Sequence, residues 1–122
     1  MTDFRHADEL KARTKRFAIR IVKLFGTFPK TIEARVLGTQ LLKSGTSLAS
    51  NYRAVCRARS RAEFIAKLGT VVEESDETVF WLELLLDTDI GDRHQINELL
   101  AEARELLAIF SASRKTAKSK RI

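Results

Sequence analysis

Glu73-Glu74-Ser75-Asp76-Glu77 is the densest set of groups in the chain whose types and spacing could do chemistry. Carboxylates packed this closely can hold magnesium against a phosphate ester. A second set is cationic: Arg53, Arg57, Arg59 and Arg61 crowd one short stretch beside Tyr52. Guanidinium groups grip phosphates, and an aromatic ring can stack on a base or on a guanidinium. The remaining chemistry-bearing types are sparse. Cys56 lies among those arginines with no histidine near it in sequence, so it is read as structural. His6 and His94 sit near helix starts, and neither belongs to the Glu-x-x-His pair that helix bundles use for metal. The glycines are scattered, and no phosphate-cradling loop is formed.

The spacing Glu73-Glu74-x-x-Glu77 resembles half of the pattern of all-helical nucleoside triphosphate pyrophosphohydrolases. That family's second half, Glu-x-x-Asp on a later helix, has no counterpart here; Glu102 and Glu105 supply only Glu-x-x-Glu. Neighbouring carboxylates on one helix also fan apart instead of converging. The favoured reading is a solvated acidic face, or one that pairs with arginine-rich neighbours. No catalytic residue, metal or cofactor is therefore expected, and the protein is read as non-enzymatic.

The charge that surrounds these sets is segregated along the chain. Residues 1–30 hold 8 Lys/Arg against 3 Asp/Glu, and residues 31–61 hold 6 against 1. Residues 62–92 invert this to 1 against 9, and residues 93–122 return to 7 against 3. The net charge of +6 suits a polyanionic partner held by counterion release. Complementary blocks on neighbouring helices or subunits are the competing explanation.

The elements that must position these groups are few and long. One proline and five glycines in 122 residues leave little material for turns, and the residue types favour helix. From Asp8 to Thr27, Leu10, Phe17, Ile21, Leu24 and Phe28 recur at helical spacing, with Ala18, Val22 and Phe25 widening the stripe. Arg13, Arg16, Arg20 and Lys23 form the cationic back of that helix. Gly26-Thr27-Phe28-Pro29 breaks the chain, with Pro29 suited to a first helical turn. A second helix, Thr31 to Ala58, presents Leu37, Leu41, Leu48 and Val55 inward. Gln40, Ser44, Ser47 and Asn51 lie beside that stripe as close-packing residues, while Arg35, Lys43, Arg53 and Arg57 share the outer face with Tyr52.

Ser60-Arg61-Ala62-Glu63 reads as a capping box that opens a third helix, ending near Asp87. Its inner stripe is Phe64, Leu68, Val71, Ser75, Val79, Leu82 and Leu86, from which Phe80, Trp81 and Leu84 project away. A segment apolar nearly all round is buried on more than one side, so Phe80, Trp81 and Leu84 are expected to face another subunit. Gly91 is the expected C-cap, and Asp92 with Gln95 opens a fourth helix carrying Ile96, Leu99, Leu100, Ala103, Leu106, Leu107 and Phe110.

The resulting expectation is an all-α fold, an antiparallel up-down-up-down four-helix bundle over residues 1–113, with residues 1–7 frayed and residues 114–122 a basic flexible tail. A single cysteine, the absence of an apolar run of ~20 residues and a charged N-terminus point to a cytoplasmic protein with no membrane partner.

The pattern Ser47-Leu48-x-x-Asn51, followed by Arg59-Ser60-Arg61-x-Glu63-Phe64 and an acidic third helix, resembles a specific bacterial family. It is similar to the four-helix-bundle proteins encoded by intervening sequences within 23S ribosomal RNA genes, from about Phe17 to Phe110. Many members carry Glu-Gly where this chain has Ala54 and Val55. The resemblance implies a homopentamer. It also implies kinship with the accessory variability protein of diversity-generating retroelements, which binds nucleic acid and a reverse transcriptase. The expected partners are therefore further copies of the chain, RNA or DNA, and a nucleic-acid enzyme. Arg13, Arg16, Arg20, Lys23, Arg53, Arg57, Arg59 and Arg61 are the candidate nucleic-acid contacts. A scaffold that binds only protein is the alternative.

Overall fold

The computed structural model describes residues 4–120, with side chains from residue 6 onward. Four helices account for nearly all of it: α1 (Phe4–Gly26), α2 (Ile32–Val55), α3 (Arg61–Asp87) and α4 (Arg93–Ser119). Each helix packs on the next in the chain, and α1 touches α4 along the sparsest seam. One continuous core results, built on Phe17, Ile21, Leu41, Leu68, Leu82, Ile96 and Phe110. Among the described residues no helix is long and apolar enough to cross a membrane.

The helix starts are set by side chains that satisfy otherwise orphan amides. Thr31 Oγ1 accepts the Ala34 N–H at 3.1 Å, Ser60 Oγ accepts that of Glu63 at 3.0 Å, and Asp92 Oδ1 accepts that of Gln95 at 2.9 Å. The capping box at α3 is displaced by one residue. The Glu63 carboxylate accepts the amide of Arg59, at 3.5 Å, and pairs with Lys67 at 3.0 Å. Pro29 lies in the turn two residues before the Thr31 cap instead of in the first helical turn.

Several boundaries differ from the expectation. Residues 4–7 are helical, with Ala7 buried, because nothing between Phe4 and Asp8 breaks a helix; residues 1–3 lie outside the described residues. Helix α2 stops at Val55, three residues before Ala58. The end of α3 is made by Asp89, not Gly91. Asp89 takes φ 57° and the Ile90 amide reaches back to Leu85 O at 3.0 Å, the Schellman closure. Residues 114–119, expected as a flexible tail, continue α4: Arg114-Lys115-Thr116-Ala117-Lys118 contains no glycine or proline to stop it. Arg121 and Ile122, the end of that expected tail, lie outside the described residues.

Inward positions also shift at the margins of the stripes. Leu85 is fully buried where Leu86 was expected, and Phe64 is only half-buried. Val22 is half exposed, so the α1 stripe is narrower than its sequence suggests. Thr14 takes the inward position between Leu10 and Phe17, its hydroxyl donating to Leu10 O at 2.9 Å. Ser44 is buried as a close-packing residue, its Oγ 3.0 Å from Thr78 Oγ1.

Candidate nucleic-acid interface

The cationic residues expected to act together divide into two groups. On α1, Arg13 and Arg20 face α4. Arg13 reaches Glu102 with two nitrogens, each at 2.7 Å, and Glu105 at 3.0 Å; Arg20 lies 3.8 Å from Glu98. These hydrogen bonds hold the Glu102 carboxyl below the usual carboxylate range, against the opposing effect of its partial burial. Partnered in this way, Arg13 belongs to the α1–α4 seam. Arg16 and Lys23 are exposed, and among the described residues neither has a carboxylate within ion-pair distance.

At the far end of α2 the arrangement is different. Arg53 and Arg57 occupy the exposed face of its last turns and the turn beyond, the Arg57 side chain donating to Arg53 O at 3.2 Å. Arg59 follows in the connection to α3 and is exposed. Among the described residues none of Arg53, Arg57 and Arg59 pairs with a carboxylate. The helix C-terminus, with its unsatisfied carbonyls, draws this positive charge to it.

Arg61 is oriented elsewhere. Its Nε donates to Ala117 O at 2.9 Å, and a second nitrogen reaches the carbonyls of Ala117 and Lys118. Arg114 answers from α4, its Nε donating to Ile65 O at 3.1 Å while the guanidinium lies against Gly69. The two arginines thus tie the start of α3 to the end of α4: Arg61 satisfies carbonyls that the end of α4 leaves open, while Arg114 donates to a carbonyl in the first turns of α3.

Tyr52 does not join the outer face. It is buried against Phe110, with ring centroids 5.2 Å apart, and burial pushes its phenol up from the ordinary value. A buried ring cannot stack on a base. The expectation failed because one position of a helix cannot be told apart from its neighbour until the partner helix is placed. Cys56 is an exposed free thiol at the α2 C-cap.

The acidic stretch of α3 does not assemble into a site. Glu73, Asp76 and Glu77 are exposed and Glu74 is half-buried, with burial and the charge of Glu77 raising the Glu74 carboxyl. Among the described residues no three metal-ligating side chains converge. Phe80 extends the same outer stripe and is 52 % exposed, edge-on to Trp81 at a centroid distance of 4.9 Å. Trp81 and Leu84 are half-buried, Trp81 packing against the core from its rim.

The model of the 23S rRNA-intervening sequence proteins matches residues 9–112, from the second turn of α1 into the last turns of α4. This chain belongs to that family. A solved structure agrees: a protein of unknown function from the S23 ribosomal protein family of Bacteroides thetaiotaomicron is 35 % identical. It aligns over 86 % of this chain and 97 % of its own length with a TM-score of 0.79. No curated protein matches the chain. For this member of the 23S rRNA-intervening sequence proteins, the matched span includes the whole of α2, α3 and the arginine-rich connection between them.

Proposed function

We propose that this protein is a non-enzymatic, self-associating four-helix bundle that grips the phosphate backbone of RNA through the arginines at the end of α2. The observation that carries this reading is the contrast between two sets of arginines. Arg13 and Arg20 are occupied by glutamates of α4, whereas Arg53, Arg57 and Arg59 stand together with no carboxylate partner among the described residues. Such groups bind phosphates without reading sequence. A nucleic-acid enzyme docked on the same bundle, as the family resemblance implies, would be brought to RNA by that grip.

The helices alternate in direction in this reading. Supporting it, Gly38 lies against Phe25 and Phe28 while the later Gly45 lies against the earlier Ile21. Likewise Arg61 meets Ala117 while Glu83 meets Arg104. Self-association uses the outer stripe of α3, where Phe80 stands in line with Glu73, Asp76 and Glu77, and where Trp81 and Leu84 flank it. Its proposed counterpart is drawn from the exposed apolar residues Ile19 and Val22 of α1 and Ile32 and Val36 of α2, with the exposed Arg16 and Arg35 on the same two helices. Unlike faces of this kind close into a ring when the rotation permits, consistent with the pentamer implied by the resemblance. The chain acts in the cytoplasm in this reading.

Binding of the full chain to a generic single-stranded RNA, measured across a salt series, tests the proposal. The affinity falls steeply as salt rises, and the variant Arg53→Glu/Arg57→Glu/Arg59→Glu loses at least tenfold while keeping its solution mass. No binding at low salt overturns it. Loss of the assembled mass in the same variant assigns those arginines to subunit pairing instead.

A further inference from the structure

Between the start of α1, the α2–α3 connection and the end of α4 lies a cleft of ≈ 790 Å³. That volume falls within the range of small-molecule sites. Its floor is apolar, made by Leu10, Tyr52, Phe64, Leu68 and Phe110. Its rim is cationic, with His6, Arg59, Arg61 and Lys120. Among the described residues that line it, none is acidic and none is an asparagine or glutamine.

These features select a ligand chemistry. An apolar floor favours a hydrocarbon tail, and a rim of cations with no carboxylate among the described lining residues favours an anionic head. The absence of side-chain amides and carboxylates leaves little to read the edge of a base, which weighs against a nucleotide. Arg61 is held by Ala117 O and Lys118 O, so the head group falls to Arg59 and Lys120, which have no carboxylate partner among the described residues. We infer that this cleft binds a medium-chain fatty acid, its carboxylate at Arg59 and Lys120 and its alkyl chain against Leu10, Phe64, Leu68 and Phe110. The site shares Arg59 with the RNA reading, but its floor plays no part in gripping phosphate, so the dependence on alkyl length and the Ser113→Trp variant test it separately.

Calorimetric titration of the full chain with hexanoate, octanoate and decanoate tests this inference. One decanoate binds per chain, and the affinity rises roughly threefold to fourfold for each added methylene, as burial of a CH₂ requires. Ser113→Trp, placed at an exposed position that lines the cleft, abolishes binding while the helical circular dichroism is retained. Arg59→Glu/Lys120→Glu weakens decanoate binding at least tenfold and leaves the thermal midpoint in place. Absence of decanoate binding overturns the inference. So does an affinity indifferent to chain length or to both variants, or displacement of decanoate by adenosine monophosphate at equal concentration.

Discussion

Arg13 holds Glu102 in a two-pronged grip across the α1–α4 seam, Nε to Oε2 and a terminal nitrogen to Oε1, both at 2.7 Å. Both side chains are largely shielded, at 27 % and 21 % exposure, so the pair is screened less than a surface ion pair. It crosses the sparsest seam of the bundle, where few other contacts share the load. Arg13→Met is expected to lower stability by about 1–2 kcal/mol at neutral pH, read by urea denaturation. The pH dependence has a defined sign. The folded-state pKa of Glu102 is depressed, so the stabilisation is complete above its unfolded value of about 4.3 and is lost as pH falls through the lower folded value. Glu102→Gln, which cannot titrate, should show a shallower loss of stability on acidification than the parent chain.

Gly38 lets α1 and α2 approach closely. A Cβ built there would stand 2.8 Å from the Phe25 ring and 2.9 Å from that of Phe28, both too short for real contacts. Gly38→Ala should gain the helix propensity of alanine and still lose about 1–3 kcal/mol, because the two rings must move apart. An unchanged or raised thermal midpoint would show that the rings yield freely.

The α3–α4 turn contains two residues with positive φ, Asp89 at 57° and Gly91 at 87°. Asp89→Gly is expected to stabilise by about 0.5 kcal/mol, since glycine adopts the left-handed region without a Cβ clash. Gly91→Ala should do the reverse, by about 2–4 kcal/mol, because the added methyl would meet Phe28 at 2.7 Å in addition to the unfavourable φ. Paired melting curves of the two variants read both signs.

Phe80 offers a separation of folding from assembly. At 52 % exposure its loss should change chain stability by less than about 1 kcal/mol under dissociating conditions. If α3 meets another subunit through this residue, Phe80→Glu lowers the solution mass, and emission from the single tryptophan, Trp81, shifts to the red as its neighbour leaves. An unchanged mass in light scattering would remove the outer stripe of α3 from the interface.

The capped starts at Ser60 and Asp92 were legible because hydroxyl or carboxylate capping depends on neighbours within three residues. The helix stripes were legible at their centres, at Phe17, Leu41, Leu68 and Phe110, and failed at their edges. Tyr52 and Leu85 point inward, and Val22 outward, because a helix edge is apolar or wet only by virtue of the helix beside it. The cleft above Phe64 and Phe110 left no mark on any local pattern, since His6, Arg59 and Lys120 converge on it from three separate segments.

By itself, then, the sequence determined the number of helices, the N-caps at Ser60 and Asp92, the central core residues and the supply of arginine, all consequences of short-range spacing and of hydrophobic periodicity. Only the tertiary structure decided which arginines remain available. Arg13 and Arg61 are satisfied by groups 89 and 56 residues away, and Arg53, Arg57 and Arg59 by no carboxylate among the described residues. The physical reason is that a charge is spent or left open by what folding brings within hydrogen-bond reach of it.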